Sequence, residues 1–360
     1  MRTELLPIVD CVGSPRARGR AHGETLRTTI ADKVGRWRNA IGDAYGIPAD
    51  TFLPRFLAAT NFRDAIERFT PALAEEVSGI AQGAAIGEDT AYAMQLMDEE
   101  WWFGEEPRDG HCSSLAIAPT PDQPTMVAQT MDLSGWHDGA QALLRFPDRD
   151  GNETLVFTSA GMIGLMGVST GGLGICVNTL SQLRTSRTGL PVAFVMRGAL
   201  GCSDASEAVS FLRSVPHASG QNYQLGDRDG IATLECCAAG ATQLTVENGR
   251  SLHTNHPLES REARPDTVSP LFSDNSRKRL ESLRSDLGGD LRVTPDAVKI
   301  ALSACRAGGE VSIARDPASS ATTAMTIGAI LYEIGDEVAV SVCAGPPSVE
   351  AWRQVTPARS

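Results

Sequence analysis

The sequence lacks a long hydrophobic run where a secretion signal would sit. Glu4, Pro7 and Asp10 interrupt the opening residues, leaving neither a signal-peptide core nor a membrane-spanning stretch there, so the cytoplasm is the expected location and no membrane partner is implied. Positive charge is also scarce. Lys and Arg number 32 against 44 Asp and Glu, a net charge of −12, and a phosphate-binding surface needs clustered basic residues. Nucleic acid is therefore excluded as a partner, and a small-molecule or peptide-like substrate is expected. The eight cysteines include no CxxC pair and no metal-ligand spacing, which argues for reduced, mostly buried thiols. Neither a metal nor any other cofactor is implied. There is no internal repeat and no low-complexity tract.

What is present is a globular composition, 42% hydrophobic and 21% charged over 360 residues, long enough for a deep core and a formed pocket. Residues 15 to 42 place Ala21, Leu26, Ile30, Val34, Trp37 and Ile41 on one stripe, which predicts an amphipathic helix. Further helices are expected over 51 to 70, from Pro71 to a stop at Gly87, and over 88 to 102. After His111 the texture changes to short runs rich in Val, Ile, Leu and Thr, such as CSSLAIAP, TMVAQTMDL, TLVFTSA and LGICVNTL, which read as strands. Helices are expected again near 190 to 214, 275 to 287 and 295 to 307, before a strand pair, AMTIGAILYE and EVAVSVCAGP. The sum is helices packed on sheets.

Cys112 opens the first strand after the helical segment, in the loop RDGHCSSL. By residue type alone a cysteine there is ordinarily a small core hydrophobe. A second reading makes it a self-cleaving nucleophile. Its thiol attacks the His111 carbonyl, the peptide bond becomes a thioester, and hydrolysis leaves Cys112 as a new N-terminus. A free α-amine titrates at roughly 7.7–8.0 and a thiol near about 8.5, so proton transfer between them is close to isoenergetic.

Seven segments choose between these readings. PALAEEVSGIAQGAAIGED, DGHCSSLAIAP, AQTMDLSGW, GGLGICVNTL, GQNYQLGDRDG, HTNHPLE and TTAMTIGAILYE follow one another with plausible gaps. In that order the chain resembles the isopenicillin N acyltransferase (acyl-CoA:6-aminopenicillanic acid acyltransferase) family of N-terminal-nucleophile hydrolases, relatives of the bile salt hydrolases and penicillin V acylases, from about residue 15 to 345. The resemblance implies an α+β fold, a four-layer αββα sandwich over 112–360, and a mainly helical leader over 1–111 that stays bound as a second subunit after cleavage before Cys112. It implies an amidohydrolase acting on linear amides of an N-acyl amine, amino acid or small peptide, or alternatively an acyltransferase. Self-association into a homo-oligomer is left open.

Residue by residue, the resemblance puts Cys112 at the nucleophile and Asp132 at the carboxylate that bonds its amine. Asn255 in HTNHPLE and Asn178 in GGLGICVNTL fall on amide donors for the oxyanion. Gln129 and Arg315 fall on supporting positions, and His256 is expected in the pocket wall. His111 departs from the family, which typically has Gly before the nucleophile; this keeps open an uncleaved, non-enzymatic binder. Gly167 to Gly171 also spells GxSxG, the mark of a serine hydrolase, but the following GLGICVNTL reads as a strand, so a hairpin turn is expected instead. Asp98 to Trp102, DEEWW, reads either as a helix end packed by its aromatics or as a lid over the substrate.

Overall fold

Ser14, Ser269 and Thr294 each precede a proline, and each begins a helix. Their side-chain oxygens accept the backbone N–H of Ala17, Phe272 and Ala297, and the proline takes a first-turn position where it has no hydrogen bond to lose. The computed structural model describes residues 6–104, 112–148, 151–264, 268–289, 292–304, 310–314, 321–348 and 351–356. His111 and Arg315 lie outside the described residues.

The N-terminal part holds a short strand, β1 (Ile8–Asp10), then α1 (Pro15–Thr25), α2 (Arg27–Tyr45), α3 (Ala49–Ala58), α4 (Arg63–Phe69), α5 (Pro71–Ala84), α6 (Glu88–Ala93) and α7 (Met97–Phe103). The single stripe read over 15 to 42 is thus two helices, broken at Leu26, whose ψ of 20° leaves the helical range. The segment 51 to 70 likewise divides, between Ala58 and Arg63. The third helix stops before Gly87: Ala85 takes the left-handed conformation at φ 56°, and Gly87 caps α6.

Helices α1 and α5 approach as closely as helices can. Gly19 and Gly23 on one face Gly79 and Gly83 on the other. A Cβ added at Gly19 would stand 1.8 Å from the Glu76 carbonyl oxygen, and one at Gly79 2.2 Å from that of Arg16. Gly19→Ala must therefore push two backbones apart, at an expected cost of about 1–3 kcal/mol or more. A fall of several degrees in melting temperature checks this. Gly35→Ala on α2, with nothing within 4 Å, is the control and should be neutral or slightly stabilising.

The remainder runs β2 (Ser113–Ile117), β3 (Thr125–Ser134), β4 (Gln141–Pro147), β5 (Glu153–Ser159), β6 (Met166–Ser169), β7 (Gly174–Thr179), α8 (Val192–Leu200), α9 (Ala205–Ser214), β8 (Gln221–Gly226), β9 (Ile231–Cys237), β10 (Gly240–Gln243) and β11 (Arg250–His253). It closes with α10 (Pro270–Leu287), α11 (Pro295–Leu302), β12 (Ala324–Ile334), β13 (Val338–Ala344) and β14 (Arg353–Val355). One sheet has the order β1-β4-β5-β6-β7-β8-β9-β10 and the other β11-β2-β3-β12-β13-β14.

Three apolar clusters define the layers. Leu155, Phe157, Met166 and Cys176 of the larger sheet meet Val127, Ile330 and Tyr332 of the smaller between the two sheets. Leu283, Leu287, Val298 and Leu302 of α10 and α11 cover the outer face of the smaller sheet. Phe194 and Leu212 of α8 and α9, with Ile30, Trp37 and Ile80 of the N-terminal helices, share the core on the outer face of the larger sheet with Val156 and Tyr223. This is a four-layer αββα sandwich. The N-terminal helices have no core apart from it, and β1 pairs parallel with β4 at its edge. Gly167 to Gly171 forms the expected hairpin: β6 ends at Ser169, the chain turns through Gly172 at φ 112°, and β7 runs back antiparallel. Cys236 and Cys237 face opposite ways, into different clusters. Among the described residues the cysteines are all free and no helix is long and apolar enough to cross a membrane.

Candidate active site

Strand pairing brings the site together. In the β2–β3 ladder Ser113 faces Thr130, so one step back the Cys112 thiol meets the far end of β3. The Asp132 backbone N–H points at Cys112 Sγ at 3.4 Å, and Met131 Sδ lies 3.7 Å from the same sulfur. On the other flank β11 pairs with β2, His253 facing Ser114. The chain leaving β11 thereby carries Asn255 past Cys112. A β-bulge in β12 between Thr326 and Gly328 sits opposite Met131 and Asp132, where bulges commonly re-aim a side chain next to a site.

Arg279 joins the parts, and sequence reasoning missed it. It is the largest fully buried side chain among the described residues. Its Nη1 donates to the Cys112 carbonyl at 2.7 Å and to Ser113 Oγ at 3.0 Å, its Nη2 to Asn255 Oδ1 at 3.0 Å, and its Nε to Asn275 Oδ1 at 2.8 Å. The planar fork of guanidinium donors suits such a hub. Burial pulls it down to about 10, against the raising effect of Asp132 and Cys112, so it is a cation at neutral pH. The signal that would have found it is its place on α10, where Phe272, Ser276, Arg279, Leu280, Leu283 and Leu287 form the buried stripe. A charge at a core position of an amphipathic helix has a partner there.

With Arg279 holding its oxygen, the Asn255 amide donates one N–H to the Thr179 carbonyl at 3.0 Å; the side chain is fully buried and is not among the residues that wall the cleft at Cys112. Asn178 is held differently. Its Oδ1 accepts the Ser114 hydroxyl and Asn222 Nδ2 between the two sheets, its Nδ2 has no partner among the described residues, and it does not line the cleft at Cys112. Gln129 supports the scaffold: its amide both accepts from the Val177 N–H at 2.8 Å and donates to the Val177 carbonyl, tying β7 to β3 beyond the end of β6. His256 Nδ1 bonds the Ser276 hydroxyl at 2.8 Å, outside the cleft. Burial first, then His253, Arg277 and Arg279, lower it to about 4, so it is neutral.

Electrostatics set the state of the uncut chain. Burial, and then the neighbouring Asp132 carboxylate, push the Cys112 thiol up to about 12. Burial also pushes Asp132 up to about 7, against the Thr326 hydroxyl and the Arg279 guanidinium. Thr326 faces Asp132 across the strand pair, yet among the described residues neither Asp132 oxygen has a hydrogen bond of good geometry. An acid with a raised folded value keeps its proton in the fold, so folding loses stability as pH rises from about 4 towards 7 and the loss is complete above that. The price is at most about 4 kcal/mol. In the Cys112→Ala chain, Asp132→Asn should raise the melting temperature by several degrees at pH 8 and leave it unchanged near pH 4. A destabilised variant at pH 8 would contradict this.

The cleft beside Cys112 is walled by Met97, Met131, Met162 and Met196 with Trp101 and Leu165. Its free volume of about 30 Å³ is one water's worth, so a substrate enters only as side chains move; methionine, unbranched and flexible, is the residue that moves most readily. Helix α7 closes one side. Asp98 Oδ2 accepts from Thr179 Oγ1 at 2.7 Å and from Gln221 Nε2, Glu99 Oε1 from Ser219 Oγ at 2.7 Å, and Glu100 Oε2 from Trp37 Nε1 at 2.9 Å. DEEWW is therefore both packing and a wall of the cleft.

The model of the acyl-coenzyme A:6-aminopenicillanic acid acyl-transferase family matches residues 121–348, more than half of the chain, a span that contains Asp132, Asn178, Asn255 and Arg279 and starts just beyond Cys112. The chain belongs to that family. It is an enzyme of amide hydrolysis or acyl transfer. The acyl-coenzyme A:6-aminopenicillanic-acid-acyltransferase 40 kDa form of Emericella nidulans is 27% identical over 309 residues, 83% of this chain and 84% of that one. Among solved structures, an N-acylethanolamine-hydrolyzing acid amidase ortholog from Caenorhabditis elegans is 13% identical, over 61% of this chain and 92% of its own, with a TM-score of 0.44. A variant of conjugated bile acid hydrolase from Clostridium perfringens is 11% identical over 67% and 92%, with a TM-score of 0.45.

Proposed function

We propose that the chain is an autoprocessing N-terminal cysteine amidohydrolase, cut between His111 and Cys112, that breaks linear amides of apolar acyl groups through a thioester. The observation that carries this is Asp132: a buried carboxyl beside the Cys112 sulfur with neither oxygen bonded among the described residues. Such a group is costly. A free α-amine at Cys112 is the partner that removes the cost, since it supplies N–H donors and a positive charge where the carboxyl waits.

In processing, the Cys112 thiol adds to the His111 carbonyl carbon, the peptide C–N bond breaks, its nitrogen takes a proton, and water hydrolyses the resulting thioester. In turnover, the new amine accepts the thiol proton and the thiolate attacks the substrate carbonyl. The Asn255 amide, two residues past β11 and held by Arg279, receives the oxyanion as the cleft opens to substrate. As the tetrahedral species collapses, the leaving amine takes the proton back from the α-ammonium, and the acyl group stays on sulfur. Arg279 holds the Cys112 carbonyl and the Asn255 amide in register throughout. Water then yields the acid. An acyltransferase would resolve the same thioester with a second amine.

The N-terminal segment is the small subunit of this enzyme. Because Met97, Asp98 and Trp101 wall the cleft, it must remain bound after the cut. The cytoplasm is the proposed location. Mass spectrometry during turnover of a fatty-acyl p-nitroanilide tests the chemistry: the 112–360 chain should gain the mass of the acyl group, and hydroxylamine should divert the product from acid to hydroxamate. Turnover with no acyl adduct on that chain, and with activity lost on Ser169→Ala, would contradict it.

A further inference from the structure

Of the segment HTNHPLE the mechanism uses only Asn255, yet the histidine two residues before it is bonded on both ring nitrogens. The His253 ring is fully buried. Its Nδ1 donates to the Thr254 carbonyl at 2.7 Å, and its Nε2 meets Glu235 Oε1 at 3.0 Å. Glu235 reaches across from β9 of the larger sheet and is itself buried. Its carboxylate also takes the backbone N–H of Leu258 on Oε1 and those of Glu259 and Ser260 on Oε2, the last at 2.6 Å. Burial alone would raise this carboxyl, but His253 and the N–H groups of Leu258 and Ser260 outweigh burial and hold it below its ordinary value, so it is an anion at neutral pH.

These bonds converge on one peptide unit. His253 holds the carbonyl of the Thr254–Asn255 peptide, and Ser276 Oγ accepts its N–H at 2.9 Å. A peptide bonded on both its groups resists rotation, so the Asn255 side chain can turn to the oxyanion while its backbone stays in place. Resting on the proposed amidase reading, we propose that Glu235 and His253 are positioning residues, a buried carboxylate–imidazole pair that fixes the backbone of Asn255 so that its amide meets the oxyanion. Glu235 orients the ring and ties down the chain beyond Asn255 through Leu258 and Ser260; the ring passes that constraint to the Thr254 carbonyl. Neither residue lines the cleft at Cys112. A carboxylate orients a histidine in hydrolytic triads in the same way, but here the histidine acts on a backbone carbonyl rather than on a nucleophile.

The test is a double-mutant cycle in the fully cut enzyme. Glu235→Gln, nearly isosteric, should lower kcat for a fatty-acyl p-nitroanilide by roughly ten- to hundred-fold and leave KM within about twofold. Asn255→Ala should by itself lower kcat by about 10²–10³-fold. In that background Glu235→Gln should change kcat by less than about twofold, because the group it positions is gone. A second pair of variants covers the case in which Glu235→Gln does not fold. His253→Asn places an amide N–H where Nδ1 stands and keeps the Thr254 carbonyl bonded, whereas His253→Gln places its amide at Nε2 and loses that bond. His253→Asn should keep roughly tenfold more kcat than His253→Gln at a similar melting temperature. An unchanged kcat in Glu235→Gln, an equal fold loss in both backgrounds, a loss carried by KM, or equal kcat in the two His253 variants overturns the proposal. Failure of the amidase reading shows itself separately, as a wild-type chain that stays uncut and gains no acyl group, and this proposal falls with it.

Discussion

Cys112→Ala should leave the chain in one piece and remove amide turnover by a factor on the order of 10³–10⁶. The size follows from one residue holding two roles. In the uncut chain the thiol is a poor nucleophile, pushed up to about 12 by burial and by Asp132; the base that deprotonates it for turnover is the amine that its own earlier attack releases. Without sulfur there is no cut, without the cut there is no amine, and both losses come from one substitution. Alkylation of wild type should follow the same logic. Iodoacetamide should react with Cys112 faster, at neutral pH, in the processed enzyme than in a chain that has not yet cut. Ser169→Ala should leave turnover unchanged, because Ser169 sits in a hairpin whose hydroxyl accepts the Gly171 N–H, not on a strand-to-helix elbow. Loss of turnover there with Cys112→Ala active would reverse the assignment.

The second large effect is expected at Arg279. Arg279→Met should cost roughly 3–5 kcal/mol of stability, because it strips the donor from the Cys112 carbonyl, Ser113, Asn255 and Asn275 at once and leaves the first three buried. Arg279→Lys separates position from mere folding. It keeps the charge but replaces the planar fork with a single ammonium that cannot span the Cys112 carbonyl and the Asn255 amide together. Its melting temperature should fall by only a few degrees, while kcat drops by about 10²-fold or more, as for a displaced oxyanion donor, with KM changed little. Proportional losses of kcat and stability in both variants would reduce Arg279 to a structural residue.

How far the sequence reached differs by element. Strands β2 to β7, β9, β12 and β13 were legible because alternation and Gly, Pro or Asp boundaries mark them. β1, only Ile8–Asp10, was not, since three residues carry no period and its pairing with β4 lies more than a hundred residues away. The division of α1 from α2 was hidden because Leu26 is itself a good helix former and stays on the apolar stripe. At the site, the twenty-residue spacing of Cys112 and Asp132 translated directly into a hairpin register that sets them together. Asn255 was reachable only through resemblance, because its approach depends on β11 pairing with β2. Arg279 shows in the sequence only as a charge on the buried stripe of α10. Apart from Asn275, one turn back on the same helix, its partners are the Cys112 carbonyl with Ser113 and Asn255 on two distant segments, and no local spacing encodes those. Asp98 and Glu99, read within a lid or a packed helix end, showed their individual bonds only once α7 was laid against β7, β8 and α8.

The central claim is that Cys112 becomes an N-terminus. Intact mass and N-terminal sequencing of the purified wild-type protein test it most directly. The account predicts two chains that travel together, the larger one beginning Cys-Ser-Ser-Leu. A single uncut chain after prolonged incubation at neutral pH would contradict it, because Cys112 would then have no amine to pair with Asp132.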